Sequence, residues 1–224
     1  KLAALKQNIP CIDLQHGGIG AYHPAYTHWT NLDIKSEMLL ADRFWMWDYN
    51  WIKIMSSNES DKLRNNCFVG GDPWPQFCQQ HVKNADKHRL INSTNTFKYV
   101  ILVALQYGRE KLPDFIFTSF INTKNSKICW LVRKHPIDNG YYKSILDFVS
   151  TNNLDHVICD DPSTLPLPIV LSLSTYTVSH SSSVAYEAAK IGLHTSFTTE
   201  ETERFTDLYL LNKLHHAHCE DDLI

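Results

Sequence analysis

Five short apolar runs, spaced by segments long enough for helices, constrain this chain more than any other feature. Residues 98–105 read KYVILVAL, an unbroken apolar and β-branched stretch of the kind a strand needs when both of its faces are covered. Residues 127–132 (KICWLV), 156–159, 175–179 and 193–197 repeat the pattern. Between them, 114–122, 141–150, 167–173 and 183–191 have helical spacing; Pro166 and Pro168 open the third of these and Gly192 closes the fourth. Strands alternating with helices predict an α/β fold: a Rossmann-like parallel sheet with helices on both faces.

The first half is less regular. Residues 9–14 are strand-like, 38–47 are ambiguous between helix and strand, 51–55 open a helix, and 67–69 form a strand ending in the breaker cluster Gly70-Gly71-Asp72-Pro73. Residues 79–96 are polar. The domain organisation expected is therefore 1–78 as the end of one domain with an inter-domain segment, 79–97 as a linker, and 98–224 as a nucleotide-binding domain. The chain opens on Lys1 without a methionine, and is expected to be a fragment or a processed form.

Twenty-one basic residues against 24 acidic ones give a net charge of -3 and no argument for a nucleic-acid partner. No apolar run approaches the roughly 18 residues of a membrane span. Six scattered cysteines are expected as reduced thiols, which places the protein in the cytoplasm.

Ligands of open parallel sheets sit beyond the carboxyl ends of the strands. The residues after each run are the candidates for chemistry: Gln106, then Arg133-Lys134-His135-Pro136, then Asp160-Asp161, then His180-Ser181-Ser182-Ser183. Three serines after a buried strand put hydroxyls and main-chain amides at a helix start, an arrangement that suits a phosphate as well as a helix cap. Glu187, one turn on, suits ribose hydroxyls or a solvated face. Arg133 and Lys134 supply cations, and His135 is able to donate a proton to a departing phosphate. In the first half His16 follows a strand within Gln15-His16-Gly17-Gly18, where glycines let a ligand approach the backbone; an incidental turn histidine fits the pattern equally. Asp13, Asp33 and Asp42 are carboxylates available for acid/base work. The tryptophans 45, 47, 51 and 74 are expected in the core rather than as a sugar-stacking platform. His215, His216, His218 and Cys219 are expected at a frayed helix end rather than around a metal, and Asp160-Asp161 in a turn.

Together these motifs resemble a known group. A strand-end His-Pro followed some 45 residues later by Ser-Ser at a helix start resembles bacterial sialyltransferases, polysialyltransferases and capsule Kdo-transferases. Leu14-Gln15-His16-Gly17-Gly18, Ala41-Asp42-Arg43-Phe44-Trp45-Met46-Trp47 and Phe68-Val69-Gly70-Gly71-Asp72-Pro73 are similar to a progression found in surface-carbohydrate and O-antigen transferases. The resemblance implies a GT-B fold, here a C-terminal domain with part of the N-terminal one. It implies a glycosyltransferase that uses a nucleotide sugar, with a CMP-linked acidic sugar among the donors considered, and a glycan acceptor whose lipid carrier would bring the protein to the inner face of the membrane. His135 would assist departure of the donor phosphate. Ser181, Ser182 and Ser183, with Arg133 and Lys134, would bind that phosphate; Glu187, Gln106 and Pro136 would contact nucleoside or ribose; His16 would face the acceptor. No metal or other cofactor is expected. A nucleotide-sugar 2-epimerase, a polyol-phosphate transferase and a non-catalytic transferase domain are the alternatives. The acidic catalytic motif of the related sialyltransferases has no counterpart here, and only Gly108 follows the 98–105 strand where a glycine-rich loop would lie.

Overall fold

The computed structural model describes residues 1–19, 26, 33–56, 65–106, 111–137, 140–180, 182–199 and 213–223. The chain divides into two compact units, Lys1–Pro73 and Trp74–Ile224.

In the first unit the described elements are α1 (Leu2–Lys6), β1 (Ile12–Leu14), α2 (Ile34–Leu39), β2 (Arg43–Met46), α3 (Tyr49–Ser56) and β3 (Cys67–Val69). The three strands pair in parallel in the order β1-β2-β3. The ambiguous 38–47 stretch resolves into the end of α2 and β2. Alternation along β2 sends Phe44 and Met46 into the core, where Trp47, Trp51 and Met55 join them. Trp45, on the opposite face, lies across Gly70 and donates from Nε1 to the Gly71 carbonyl at 2.8 Å.

The second unit opens with α4 (Trp74–His81) and α5 (Asn84–Thr94), followed by β4 (Tyr99–Ala104), α6 (Asp114–Asn122), β5 (Ile128–Arg133), α7 (Tyr141–Thr151) and β6 (Val157–Ile158). Then come α8 (Asp160–Thr164), α9 (Leu167–Leu173), β7 (Tyr176–Ser179), α10 (Val184–Lys190), β8 (Thr195–Phe197) and β9 (Leu214–His216). All six strands are parallel, in the order β6-β5-β4-β7-β8-β9. Numbered within the unit, that order is 3-2-1-4-5-6, the doubly wound arrangement of dinucleotide-binding folds.

The apolar run of β4 is uninterrupted because its residues divide between two cores. Ile101 and Val103 pack with Trp130 and Val132 of β5 under Ile116 and Phe120 of α6 and Tyr142 and Ile145 of α7. Val100 and Leu102 pack with Cys129 and Leu131 against Cys78 of α4, Leu90 of α5, Ile169 and Val170 of α9, and Ala188 of α10.

The structure corrects the linker expected over 79–97. That stretch is largely helical, and it is anchored by Leu90, wholly buried, by Cys78, and by an Arg89–Asp161 pair with Nε donating to Oδ1 at 2.6 Å. One fully buried leucine, which contributes about 1.5–3 kcal/mol, leaves little apolar periodicity in a polar sequence. The C-terminal histidines are also corrected: residues 214–216 form edge strand β9, not a helix end. There Lys213 Nζ donates to His194 Nε2 at 3.4 Å, and His194 Nδ1 lies 3.3 Å from His215 Nε2. Of the tryptophans expected in the core, Trp47 and Trp51 are buried, whereas Trp74 is 51% exposed and stacks on Phe77. Among the described residues no helix is long and apolar enough to cross a membrane.

A buried polar network braces the first of the two cores. Thr123 Oγ1 donates to the Ser119 carbonyl at 2.7 Å, accepts from Trp130 Nε1 at 2.9 Å and lies 3.3 Å from His156 Nε2. Burial holds the His156 imidazole below its ordinary value of 6.5, partly offset by a hydrogen bond to the Phe120 main chain. Thr123→Val is expected to lower stability by about 2–4 kcal/mol, because it strands the indole N–H and the imidazole in the core. The depressed imidazole has its own signature. The unfolded chain binds this proton more readily, so the contribution of His156 is complete above pH 6.5 and is lost as pH falls below it toward the folded value. Denaturant titrations of wild type and Thr123→Val between pH 7.5 and 5 check both; a change below 0.5 kcal/mol in the variant at pH 7.5 would contradict the network's role.

Candidate functional site

A parallel sheet delivers every strand's carboxyl end to one edge. In the second unit that edge carries Leu105 and Gln106 after β4, Lys134-His135-Pro136 after β5, His180 and Ser182-Ser183 after β7, and Thr198 after β8. The chain leaves β4 and β7 toward opposite faces of the sheet, which opens a crevice between them. A small cleft lies there, lined among the described residues by Ala104, Leu105, Gln106, Lys111, Leu112, Tyr141, His180 and Thr198. The Ser179 hydroxyl donates to the Ala104 carbonyl at 3.3 Å and ties the two strand ends together beneath it.

At the end of β5 the three basic residues have separate tasks. Arg133 Nη1 donates to the Pro162 carbonyl and, at 2.5 Å, to the Leu165 carbonyl, bracing the α8–α9 turn rather than presenting that nitrogen to a ligand. Burial lowers its pKa from the ordinary 12.5, and the Glu187 carboxylate opposes the shift. Glu187, expected at ribose, thus shares its field with Arg133. Lys134 is exposed, with Nζ 5.8 Å from the centre of the Tyr142 ring. His135 is half-buried, and its Nδ1 lies 3.1 Å from the Ile137 main-chain nitrogen and 3.3 Å from the Ile137 carbonyl oxygen, accepting from the one or donating to the other according to its tautomer. With Nδ1 accepting, the neutral ring carries its proton on Nε2 and offers a donor there.

At the end of β7 the main-chain amides are less available than the sequence suggests. The Ser182 N–H donates to Ser179 Oγ at 3.2 Å, Val184 N–H to Ser182 Oγ at 3.4 Å, Ala185 N–H to the Ser182 carbonyl at 3.2 Å, and Tyr186 N–H to the Ser183 carbonyl at 3.0 Å. The turn satisfies most of its own amides, and the Ser182 hydroxyl takes part as a cap. Its proton remains as a donor, and Ser183 makes no side-chain cap bond. Ser181 lies outside the described residues.

His135, Ser182, Ser183, Gln106, Arg133, Lys134, Pro136 and Glu187 are therefore carried on one edge, with β4 separating β5 from β7. Strands spaced about 4.8 Å apart put the two outer ones about 10 Å from each other. His16 belongs to the first unit, where it is exposed at the end of β1. Its neighbour Gln15 is the better-anchored residue of that motif. It is buried, with Oε1 accepting from Trp47 N–H at 2.9 Å and Nε2 donating to the Gly17 carbonyl at 3.0 Å.

Among the carboxylates weighed for acid/base work, two have local structural partners. Asp33 caps α2 through Ser36 N–H at 2.6 Å, and Asp42 accepts from Cys11 N–H at 2.7 Å and from Lys1 Nζ. Asp13 accepts from the Tyr26 hydroxyl at 3.5 Å, and burial together with that carboxylate pushes the Tyr26 phenol up to about 12. Lys111, Tyr141 and Thr198 were not singled out by sequence. Their place around the cleft depends on the β4–β7 and β7–β8 pairings, and no local pattern signals it.

The same architecture recurs in solved structures. The UDP-bound MnaA of Staphylococcus aureus aligns with a TM-score of 0.63 at 15% identity, over 99% of this chain and 60% of that one. The Neisseria meningitidis UDP-GlcNAc 2-epimerase bound to UDP-GlcNAc aligns with a TM-score of 0.61 at 19% identity, over 96% and 59%. The wall teichoic acid polymerase TagF, in a CDPG soak, aligns with a TM-score of 0.57 at 14% identity, over 85% and 48%. The fold is of the GT-B type. No protein-family model matches the sequence, and no curated protein does. The chain spans about 60% of the length of the first two of these structures, and the cleft of its second unit lies at the point where the strand order of the sheet reverses.

Proposed function

We propose that the chain belongs to a glycosyltransferase that takes a sugar from a nucleotide-activated donor, a CMP-linked acidic sugar among the candidates, and passes it to a surface-polysaccharide acceptor. The observation that carries this reading is the convergence of His135, Ser182 and the Gln106–His180 cleft on one edge of a 3-2-1-4-5-6 sheet. In this reading the donor phosphate lies along that edge. His135 Nε2–H and the hydroxyls of Ser181, Ser182 and Ser183 stabilise the charge that develops on the leaving phosphate, with Lys134 adding a cation, and no metal is required. Glu187 faces ribose, Gln106 and Pro136 border the nucleoside, and His16 serves the acceptor side.

A nucleotide-sugar 2-epimerase is the second reading, favoured by the likeness of the fold to UDP-GlcNAc 2-epimerases. Calorimetric titration of the protein with CMP, UDP and GDP is expected to give saturable binding by one of them. Product analysis with the matching sugar nucleotide and a glycan acceptor then separates the readings: transfer with nucleotide release supports the first, and a free epimer formed without acceptor supports the second. No binding by any of the three nucleotides would overturn both.

A further inference from the structure

We propose that Ser163 of α8 is a positioning residue for His135: its hydroxyl fixes the last main-chain amide before the imidazole and so sets where that ring meets the donor phosphate. The proposal rests on the transferase reading of His135 and extends it to a residue on a different element.

The first observation is where strand pairing stops. Main-chain groups along a strand point alternately toward one neighbour and the other. In β5 the Trp130 N–H faces the β6 side and donates to the His156 carbonyl at 2.9 Å, while the Arg133 carbonyl faces β4 and accepts from Leu105 N–H at 2.9 Å. The Lys134 N–H therefore faces the β6 side again. There β6 has ended at Ile158, opposite Leu131, and its ladder with β5 goes no further. Ser163 Oγ takes the place of a strand carbonyl and accepts from Lys134 N–H at 3.2 Å. A side chain thus holds the backbone one residue before His135.

The second observation is how firmly that hydroxyl is held. Ser163 Oγ lies 3.0 Å from the Cys159 carbonyl and 3.0 Å from the Tyr142 hydroxyl, which itself donates to the Cys159 carbonyl at 2.5 Å. The Ser163 proton goes to one of those two oxygens, so its lone pairs are left for Lys134. Bonding to the carbonyl four residues earlier is common for a helical serine. The bond from Lys134, 29 residues away in the chain, is not of that kind. The carbonyls on either side of Ser163 are fixed as well, because Arg133 Nη1 donates to Pro162 and Leu165. Helix α8 has only five residues, too few to hold its shape alone, and consecutive residues of β5 keep it in place.

Ser163→Ala leaves the Lys134 N–H without its acceptor and lets the turn that carries His135 move. A misplacement of about 1 Å at a reacting group costs up to about 100-fold in rate. The expected result is a kcat for nucleotide release lowered about 10-fold, with nucleotide affinity within about threefold of wild type. Ser163→Thr keeps the hydroxyl and is expected to recover most of the rate. In a His135→Ala background Ser163→Ala is expected to add nothing, because a positioning residue acts only through the group it positions.

A second readout does not depend on turnover. In protein with isotope-labelled histidine, the His135 ring signal is assigned by its loss in His135→Ala. Ser163→Ala is expected to shift and broaden that signal and to leave the buried His156 unchanged. An unmoved His135 signal overturns the proposal. So does a kcat within about threefold of wild type in Ser163→Ala where His135→Ala is slow, or an equal loss in the wild-type and His135→Ala backgrounds. A moved signal in a protein whose turnover ignores His135→Ala supports the anchoring of the turn and overturns the transferase reading of His135 instead.

Discussion

Replacing His135 with alanine is expected to slow donor turnover by about 10²- to 10⁴-fold while leaving stability within about 0.5 kcal/mol of wild type. The effect on rate follows from where the proton sits. In the tautomer whose Nδ1 accepts from Ile137 N–H, the neutral ring carries its proton on Nε2 and meets the departing phosphate with a donor there. The small effect on stability follows from the position of His135 on a half-exposed turn outside both cores. Nucleotide release from the matching sugar nucleotide, measured at saturation, reads kcat. Glutamine at 135 keeps an N–H donor and is expected to recover part of the rate. If His135→Ala turns over within threefold of wild type, the imidazole has no part in leaving-group departure and the edge must be reassigned.

Gly70→Ala should destabilise the first unit by about 3–5 kcal/mol, for reasons unconnected with backbone freedom. A Cβ at Gly70 would stand 2.0 Å from Trp45 Cε2 and 2.3 Å from Cδ2. The indole has little room to yield. Its Nε1 is hydrogen-bonded to the Gly71 carbonyl, and its ring meets Phe68 edge to face at 5.5 Å and 70°. Relieving the clash means losing the hydrogen bond, about 1 kcal/mol, and the aromatic pair, about 0.5–1.5 kcal/mol, on top of the overpacking itself. Gly71→Ala is the matched control. At φ +82 it meets nothing within 4 Å, so only the left-handed backbone strain of about 1–2 kcal/mol is expected. Denaturant unfolding monitored by tryptophan fluorescence separates the two. Equal losses at 70 and 71 would show that the indole moves aside and that contact with Gly70 does not hold it.

These two positions show how differently the motifs were legible. The His135-Pro136 turn was recognisable as a candidate because a strand end in a parallel sheet has only one place to go, the ligand edge. The Gly-Gly pair, Gln15 and the tryptophans of the first unit carried a recognisable order, yet their observed tasks are local. Gln15 joins the ends of β1 and β2, and Gly70 makes room for Trp45. The serines after β7 mark the opposite case. Their position was legible, but a turn that consumes its own amides was not, because that depends on how Ser179, Ser182 and Ser183 meet the amides of residues 182 and 184–186.

What the sequence alone determined was the α/β class and the course of β4 through β8. Strands covered on both faces must be continuously apolar, and helices over 114–122 and 167–173 must bury one side, so both leave a local trace. Tertiary structure alone decided the rest: that the polar 79–97 stretch closes one face of the sheet, that Leu214–His216 adds a sixth strand, and that Thr198 and Lys111 border the cleft beside His180. Each of these depends on partners tens of residues away in the chain, such as Asp161 for Arg89 and Ser179 for Thr198. Pairing energies of that kind leave no periodicity in the segments that share them.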